Sequence, residues 1–204
     1  MKNIKKPGGI ILLGGKSKRM GTDKYLLPFF NLTLVERLIA ELEKTVQEVI
    51  LITNEPQKLN FLPHKKYPDH YAIPCALTGL HAGLKNSNYE LNFVLACDLP
   101  LFDSRMIPYF VEQINESVSI AVPKTAKGFE PLCGLYSRNN LVEIEKMFVE
   151  ENYAIHDLFD RIPAKVIMAE KIEAITHPYV FFNMNTPAEY EEAQKLYAAL
   201  NKKS

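Results

Sequence analysis

The chain has 204 residues, a length typical of one domain, and 47% of them are apolar, which is enough for a full hydrophobic core. Its 24 Lys and Arg residues balance 24 Asp and Glu residues, so the formal net charge is zero. Proteins that bind nucleic acid or anionic membranes in bulk usually carry a basic excess, and we therefore expect neither as a partner.

The cysteines and the first residues indicate the compartment. Cys75, Cys97 and Cys133 form no CxxC pair, and their odd number argues against a disulfide framework or a zinc site. The apolar run 10–13 is too short for the core of a signal peptide, and two glycines end it. No apolar stretch approaches the ~18 residues that span a bilayer. We expect a soluble, cytoplasmic protein.

Apolar runs alternate with helical patterns along the chain. Continuous apolar runs predict strands at 8–13, 49–52, 93–97, 118–122, 132–136, 164–168 and 179–182. Apolar residues at helical spacing predict helices at 33–44, 77–85, 106–114 and 141–150. A last helix begins at Pro187, because Thr186 and Glu189 have the spacing of a capping box. Four prolines make 55–75 an expected irregular segment.

This alternation predicts the fold class. Strands that are apolar throughout and alternate with helices are typical of a mostly parallel sheet with both faces covered. We expect an α/β protein with a three-layer α/β/α, Rossmann-like architecture in a single domain spanning 1–204. Ligands of such folds bind at the carboxyl ends of the strands, where the loop after Leu13, Asn54 and Asp98 are found.

The loop after the first strand has the composition of a phosphate-binding segment. Residues 12–24 contain three glycines and four cationic side chains against one Asp. Glycines allow backbone N–H groups to approach a ligand closely, while Arg19 suits a forked contact with phosphate oxygens and Lys24 a point charge. The loop predicts a polyphosphate cradle, and the alternative is a solvated basic turn.

Two better-known phosphate motifs do not describe this loop. The dinucleotide fingerprint GxGxxG is absent. A P-loop requires four residues between its first glycine and the glycine before lysine, whereas five separate Gly9 from Gly15, and most of them belong to the predicted strand.

The loop, written LxGGxSxRMGxDK, closely resembles the signature of bacterial molybdenum cofactor guanylyltransferases. Three later stretches resemble that family in the same order: 96–100 its CDxP motif, 130–136 its ePLxgLY segment, and 182–189 its FxNxNTPEE segment. The resemblance covers nearly the whole chain and implies a nucleotidyltransferase fold. The chain departs from the family at 75–80, which lacks the first Gly and the Pro of GPLAGL, and at Leu13, where Ala is usual.

The resemblance also implies site residues. It assigns the nucleotide, GTP, to Leu12, Leu13, Gly14, Gly15, Ser17, Lys24, Asn54, Asp69 and Asp98. Arg19, Lys24 and Asp98 would be the catalytic residues. The N-terminal half would bind the nucleotide, and the C-terminal half, with Asn183 and Asn185, the pterin. An alternative alignment places the family's Asn at Ile52 instead of Asn54.

Asp98 is the expected metal ligand. A carboxylate that ends a buried strand is well placed to hold Mg²⁺ against triphosphate oxygens, and Mg²⁺ often takes only one protein carboxylate. The alternative is a turn or helix-capping Asp. For Asn183 and Asn185, the alternative to a ligand contact is that they satisfy the turn into the last helix.

These residues imply a reaction. The resemblance implies transfer of GMP from GTP to the terminal phosphate of molybdopterin or the molybdenum cofactor, with pyrophosphate released. Acceptor molybdoenzymes or their chaperones would be further partners. Three alternatives remain: a cytidylyltransferase acting on the same pterin, another small-molecule nucleotidyltransferase, and a non-catalytic nucleotide-binding adaptor.

Overall fold

The computed structural model describes residues 6–14 and 23–202. The strands of this part are β1 (Gly8–Leu12), β2 (Pro28–Phe29), β3 (Leu32–Thr33), β4 (Val49–Ile52), β5 (Lys65–Tyr67), β6 (Leu91–Ala96), β7 (Ile120–Thr125), β8 (Gly128–Phe129), β9 (Cys133–Ser137) and β10 (Ala164–Met168). Its α-helices are α1 (Leu34–Leu42), α2 (Ala76–Asn86), α3 (Met106–Gln113), α4 (Leu141–Val149), α5 (Leu158–Arg161), α6 (Ala169–Ile175) and α7 (Pro187–Asn201). Short 3₁₀ turns include Lys24–Leu26 and Pro56–Leu59.

One mixed sheet organises the structure. Its strand order is β10-β7-β9-β6-β1-β4-β5, and β8 pairs with β7. The central strand β1 is parallel to β4 and β6, β4 is parallel to β5, and β10 is parallel to β7. Strand β9 is antiparallel to both of its neighbours, β6 and β7. The sheet is therefore mostly parallel, as predicted.

Both faces of this sheet are covered, which gives the predicted three-layer architecture. Ile11 belongs to one buried cluster, together with side chains from α1, α3, α6 and α7. Ile10 belongs to a second cluster, together with side chains from α2, α4 and α5. Successive strand residues point to opposite faces, so a continuously apolar strand fills two cores at once. This is the physical reason for the uninterrupted apolar runs.

Helix α2 approaches β1 closely. A Cβ built on Gly83 would lie 2.6 Å from Ile10 Cγ2, and one built on Gly79 would lie 3.2 Å from Leu12 Cδ1. Any side chain at position 83 would collide with Ile10, so Gly83 allows α2 to lie closer to β1 than any other residue would. The close packing fixes α2, and with it the segment before it, against the central strand.

Most predicted elements are confirmed within a few residues, and two predictions fail. The predicted strand 179–182 is wrong: Val180 N–H donates to His177 O and Phe182 N–H to Tyr179 O, which are turn hydrogen bonds. Burial of Val180 in the core accounts for the apolar pattern there. The segment 55–75 contains β5, a polar strand at the edge of the sheet that has no apolar run to reveal it.

No helix of the described residues is both long and apolar enough to cross a membrane.

Candidate active site

The register of the parallel strands brings the predicted site residues to one edge of the sheet. Leu12 pairs with Ile52 in β4 and with Ala96 in β6, and Ile52 pairs with Tyr67 in β5. The residues that follow these four strand ends include Gly14, Asn54, Asp98 and Asp69. The carboxyl edge of the sheet therefore gathers four residues that were separate predictions from the sequence.

The end of β1 presents its backbone to this edge. The Leu12 and Leu13 side chains are buried in opposite cores, and Leu13 N–H donates to Ile52 O at 2.9 Å. Gly14 is exposed, and a Cβ built on it would meet no described atom within 4 Å. Packing among the described residues therefore does not require glycine at position 14, and any contact of Leu12 or Leu13 with a ligand at this edge must come from the backbone.

Asn54 and Asp69 form a reciprocal pair across the ends of β4 and β5. The Asn54 Nδ2 atom donates to Asp69 Oδ2 at 2.8 Å, and Asp69 N–H donates to Asn54 Oδ1 at 3.0 Å. Two hydrogen bonds hold both side chains in fixed orientations at the β4–β5 end of the edge. The pair leaves the other carboxylate oxygen, Asp69 Oδ1, without a hydrogen bond from the described residues.

Asp98 lies just beyond β6 at the centre of the edge and is half-buried. Burial raises the pKa of this carboxyl above its usual value, while the charge of Lys24 and a hydrogen bond from the Asn183 side chain lower it. Its backbone carbonyl accepts a hydrogen bond from Met184 N–H at 2.9 Å. This contact ties the strand end to the segment that carries Asn183 and Asn185.

A chain of oriented polar groups connects Lys24 to Asp98. Lys24 Nζ donates to Asn185 Oδ1 at 2.6 Å, and Asn185 Nδ2 donates to Asn183 Oδ1 at 2.7 Å. The Asn183 side chain in turn lowers the pKa of Asp98, so it favours the charged form of that carboxyl. The Asn185 amide directs its oxygen toward Lys24 and its nitrogen toward Asn183, on the side of Asp98, which is the favourable orientation of a dipole between two charges.

The start of α7 fixes one end of this chain. The Thr186 side chain and the Glu189 side chain form the predicted capping box. Glu189 Oε2 also accepts a hydrogen bond from Asn185 N–H at 2.7 Å. Asn185 therefore takes part in the turn into the helix through its backbone, while its side chain contacts Lys24. Contact of the two asparagines with a ligand stays a prediction.

Three predicted residues, Gly15, Ser17 and Arg19, lie outside the described residues. The cradle is therefore described only at its two ends, Gly14 and the segment from Asp23 onward. Asp23 Oδ2 accepts from Lys58 Nζ at 2.8 Å, and Lys58 also pairs with Glu55 at 2.6 Å. These contacts attach the second end of the loop to the 3₁₀ turn that follows β4.

Sequence reasoning assigned no role to Glu130, although it quoted the motif that contains it. The residue is half-buried on the loop before β9, and its charge interacts with that of Asp98. A pattern of apolar residues cannot show that β9 runs antiparallel to β6, and this direction is what brings Glu130 to the carboxyl edge.

The donor set at this edge suits a hard divalent cation. Within the described residues, no group of three or more His, Cys, Asp and Glu side chains could hold a metal ion. The Asp98 carboxylate supplies oxygen atoms, which Mg²⁺ prefers. Mg²⁺ commonly uses one or two protein carboxylates and completes its shell with phosphate and water, so this set fits such an ion only together with a phosphate ligand.

Comparisons with known proteins show relatives over most of the chain. A probable molybdenum cofactor guanylyltransferase of Carboxydothermus hydrogenoformans is 31% identical over 189 residues, covering 92% of this chain and 95% of that protein. Another, from Methanosarcina acetivorans, is 35% identical and covers 92% and 89% of the two chains. The crystal structure of molybdopterin-guanine dinucleotide biosynthesis protein A from Archaeoglobus fulgidus has the same fold, with a TM-score of 0.81 at 20% identity over 94% of this chain and 99% of that one.

A family model extends over most of the chain. Residues 9–193 match the MobA-like NTP transferase domain, a range that includes every predicted site residue. The strand-end residues of β1, β4, β5 and β6 and the segment before α7 all fall within this match. The chain therefore belongs to the family of MobA-like NTP transferase domains.

Proposed function

We propose that this protein transfers GMP from GTP to the terminal phosphate of molybdopterin, or of its molybdenum-loaded form, and releases pyrophosphate. The observation that carries the proposal is the hydrogen-bonded run from Lys24 through Asn185 to Asn183, whose side chain lowers the pKa of Asp98. It joins a cation of the phosphate-binding loop to a strand-end carboxylate and to the segment expected to face the pterin. The curated relatives named molybdenum cofactor guanylyltransferase supply the identity of the two substrates.

The nucleotide would occupy the half of the edge formed by β1, β4 and β5. Gly14 leaves room for a base to approach the backbone, and Asp69 offers a carboxylate oxygen to the N–H groups of guanine. The triphosphate would then extend toward Asp98, with Lys24 and Arg19 neutralising its charge. Cationic side chains in this role stabilise charge that develops during transfer of the nucleotidyl group.

Asp98 would hold Mg²⁺, and phosphate and water would complete the coordination shell of the ion. When bound, this ion neutralises phosphate charge and draws electron density from the α-phosphorus. An oxygen of the acceptor phosphate forms the new bond to the α-phosphorus, while the bond to the bridging oxygen breaks and its electron pair leaves with pyrophosphate. The acceptor phosphate is already anionic near neutral pH, so the reaction requires no general base. Lys24, fixed by Asn185, orients the groups that react.

Three free cysteines agree with a reducing, cytoplasmic setting for this reaction. The rival functions of the same fold differ in what they consume. A cytidylyltransferase would use CTP, and a nucleotide-binding adaptor would bind GTP without releasing pyrophosphate.

Pyrophosphate release with each nucleotide tests the proposal. The purified protein is incubated with Mg²⁺, molybdopterin and one of ATP, CTP, GTP or UTP. Release with GTP alone, dependent on molybdopterin, is the expected result. Release with CTP alone would keep the mechanism and overturn the choice of nucleotide. Binding of GTP without turnover would overturn the enzymatic function in favour of the adaptor.

A further inference from the structure

The antiparallel pairing of β6 and β9 brings Glu130 to the same edge of the sheet as Asp98. Leu95 pairs with Cys133, and Ala96 N–H donates to Leu132 O at 2.7 Å. Strand β9 therefore begins beside the end of β6, and the residues just before β9 lie at the same edge of the sheet as Asp98. The charge of Asp98 acts on Glu130 across this edge.

Neighbouring groups hold the Glu130 carboxylate in place. Its backbone N–H donates to Pro123 O at 2.9 Å, and the Thr125 hydroxyl lies 3.3 Å from Glu130 Oε1. Burial raises the pKa of Glu130 and the Asp98 charge adds to this, while the Thr125 contact and the charge of Lys127 lower it. Glu130 Oε2 accepts no hydrogen bond from the described residues. The carboxylate is thus fixed through one oxygen and has the other available.

The order of the strands separates Glu130 from the nucleotide half of the site. Along the carboxyl edge, Asp69, Asn54 and Gly14 follow β5, β4 and β1, Asp98 follows β6, and Glu130 precedes β9. If the nucleotide lies over the first three strands and its phosphates reach Asp98, the molecule beyond Asp98 is the acceptor. Glu130 therefore faces the acceptor and not the base of the nucleotide.

We propose that Glu130 recognises the pterin of the acceptor by accepting hydrogen bonds from its aminopyrimidinone ring. A carboxylate repels the acceptor's phosphate, so its favourable partner must be a donor. The ring of a pterin presents an N–H group beside an amino group, a pair of parallel donors that matches the two oxygens of a carboxylate. The inference rests on the proposed function, because it takes molybdopterin as the acceptor.

The test compares Glu130→Gln with two other variants, measuring the KM for molybdopterin at saturating GTP and the KM for GTP at saturating molybdopterin. Glutamine keeps the size of the side chain and an oxygen for Thr125, but it removes the charge and one acceptor. We expect the KM for molybdopterin to rise at least about tenfold, the effect of losing a hydrogen bond to a charged group, with the KM for GTP unchanged. Glu116→Gln is the matched control, since Glu116 is exposed before the amino end of β7, at the opposite edge of the sheet.

Thr125→Val separates recognition from a structural role. It removes the hydroxyl that supports Glu130 but keeps the carboxylate, so we expect a smaller rise in the KM for molybdopterin than in Glu130→Gln. An equal rise in both variants would show that Glu130 acts only by holding the loop, and would overturn the inference. An unchanged KM for molybdopterin in Glu130→Gln, or an equal rise in the KM for GTP, would overturn it too. Failure of the wild-type protein to turn over would instead refute the proposed function.

Discussion

Replacing Asp98 with asparagine should abolish most activity and at the same time stabilise the fold. Asn has nearly the same shape as Asp but carries no charge and only one acceptor oxygen. The carboxylate is half-buried, and burial outweighs Lys24 and Asn183 in setting its pKa, which lies above the usual value. Lys24 is the cation whose charge lowers the pKa of Asp98, but its Nζ atom donates to Asn185 Oδ1 at 2.6 Å. The charged form of Asp98 therefore costs folding free energy.

The size of this cost follows from the linkage between pKa and stability. Each unit by which the folded-state pKa of an acid exceeds its unfolded-state pKa lowers the free energy of unfolding at neutral pH by about 1.4 kcal/mol. We expect Asp98→Asn to be more stable than the wild type at pH 7 without Mg²⁺, because burial raises the pKa of the wild-type carboxyl. The difference should shrink as the pH falls through the folded-state pKa of Asp98, because the wild-type carboxyl then becomes neutral as well.

The activity should change in the opposite direction. Loss of a carboxylate that holds the metal removes several kcal/mol of stabilisation from the transition state, which corresponds to a fall in turnover of about a hundredfold or more. Urea unfolding in the presence of EDTA measures the stability, and pyrophosphate release from GTP measures the activity. A variant within a few-fold of wild-type turnover would refute the role of Asp98 as a metal ligand.

Asp103→Asn is the matched control for the stability of Asp98→Asn. Arg105 donates to Asp103 from its backbone N–H at 3.0 Å and from Nη2 at 2.6 Å. Burial tends to raise the pKa of Asp103, but hydrogen bonds from Arg105 outweigh it and the pKa is lowered. The charged form of this Asp therefore stabilises the fold, and its replacement should destabilise the protein. Destabilisation by both substitutions would show that the Asp98 charge is compensated in the native state.

Three further perturbations test the site and the packing that supports it. Lys24→Gln should lower kcat/KM for GTP about a hundredfold or more, because it removes a positive charge near the phosphates. The free energy of unfolding should change by less than about 1 kcal/mol, because the contact with Asn185 that is lost is partly exposed. Near-normal kinetics would exclude Lys24 from catalysis. Burial lowers the pKa of His81, so the free energy of unfolding should fall as the pH drops from 7 toward 5. His81→Gln should reduce this loss of stability, measured by urea titrations at several pH values. An equal dependence of stability on pH in both proteins would contradict the prediction. Gly83→Ala should destabilise the fold by about 1–3 kcal/mol, because the added methyl group meets the branched side chain of Ile10. Gly79→Ala should destabilise it less, because its methyl group meets only the end of the Leu12 side chain. Equal midpoints in thermal unfolding would show that α2 can move away from β1.

Local patterns in the sequence were sufficient for the architecture and for several site residues. The apolar runs of β1, β4 and β6 predict buried strands because each strand must fill a core on both faces of the sheet. The spacing of Thr186 and Glu189 predicts the start of α7, because a capping box is completed within one turn of helix. Asp98 directly follows an apolar run, so its position at a strand end is also a local property.

The contacts that assemble the site depend on tertiary structure. Lys24 and Asn185 are 161 residues apart, and no local pattern predicts their hydrogen bond. The sequence around 179–182 has the apolar character of a strand, yet its backbone N–H groups form hydrogen bonds within a turn. The apolar pattern is explained by burial of Val180 in the core. The direction of β9 decides that Glu130 lies at the same edge of the sheet as Asp98, because an antiparallel strand begins where its parallel neighbours end. Propensity and spacing along the chain thus determine which elements form, while pairing between distant elements determines which side chains share the site.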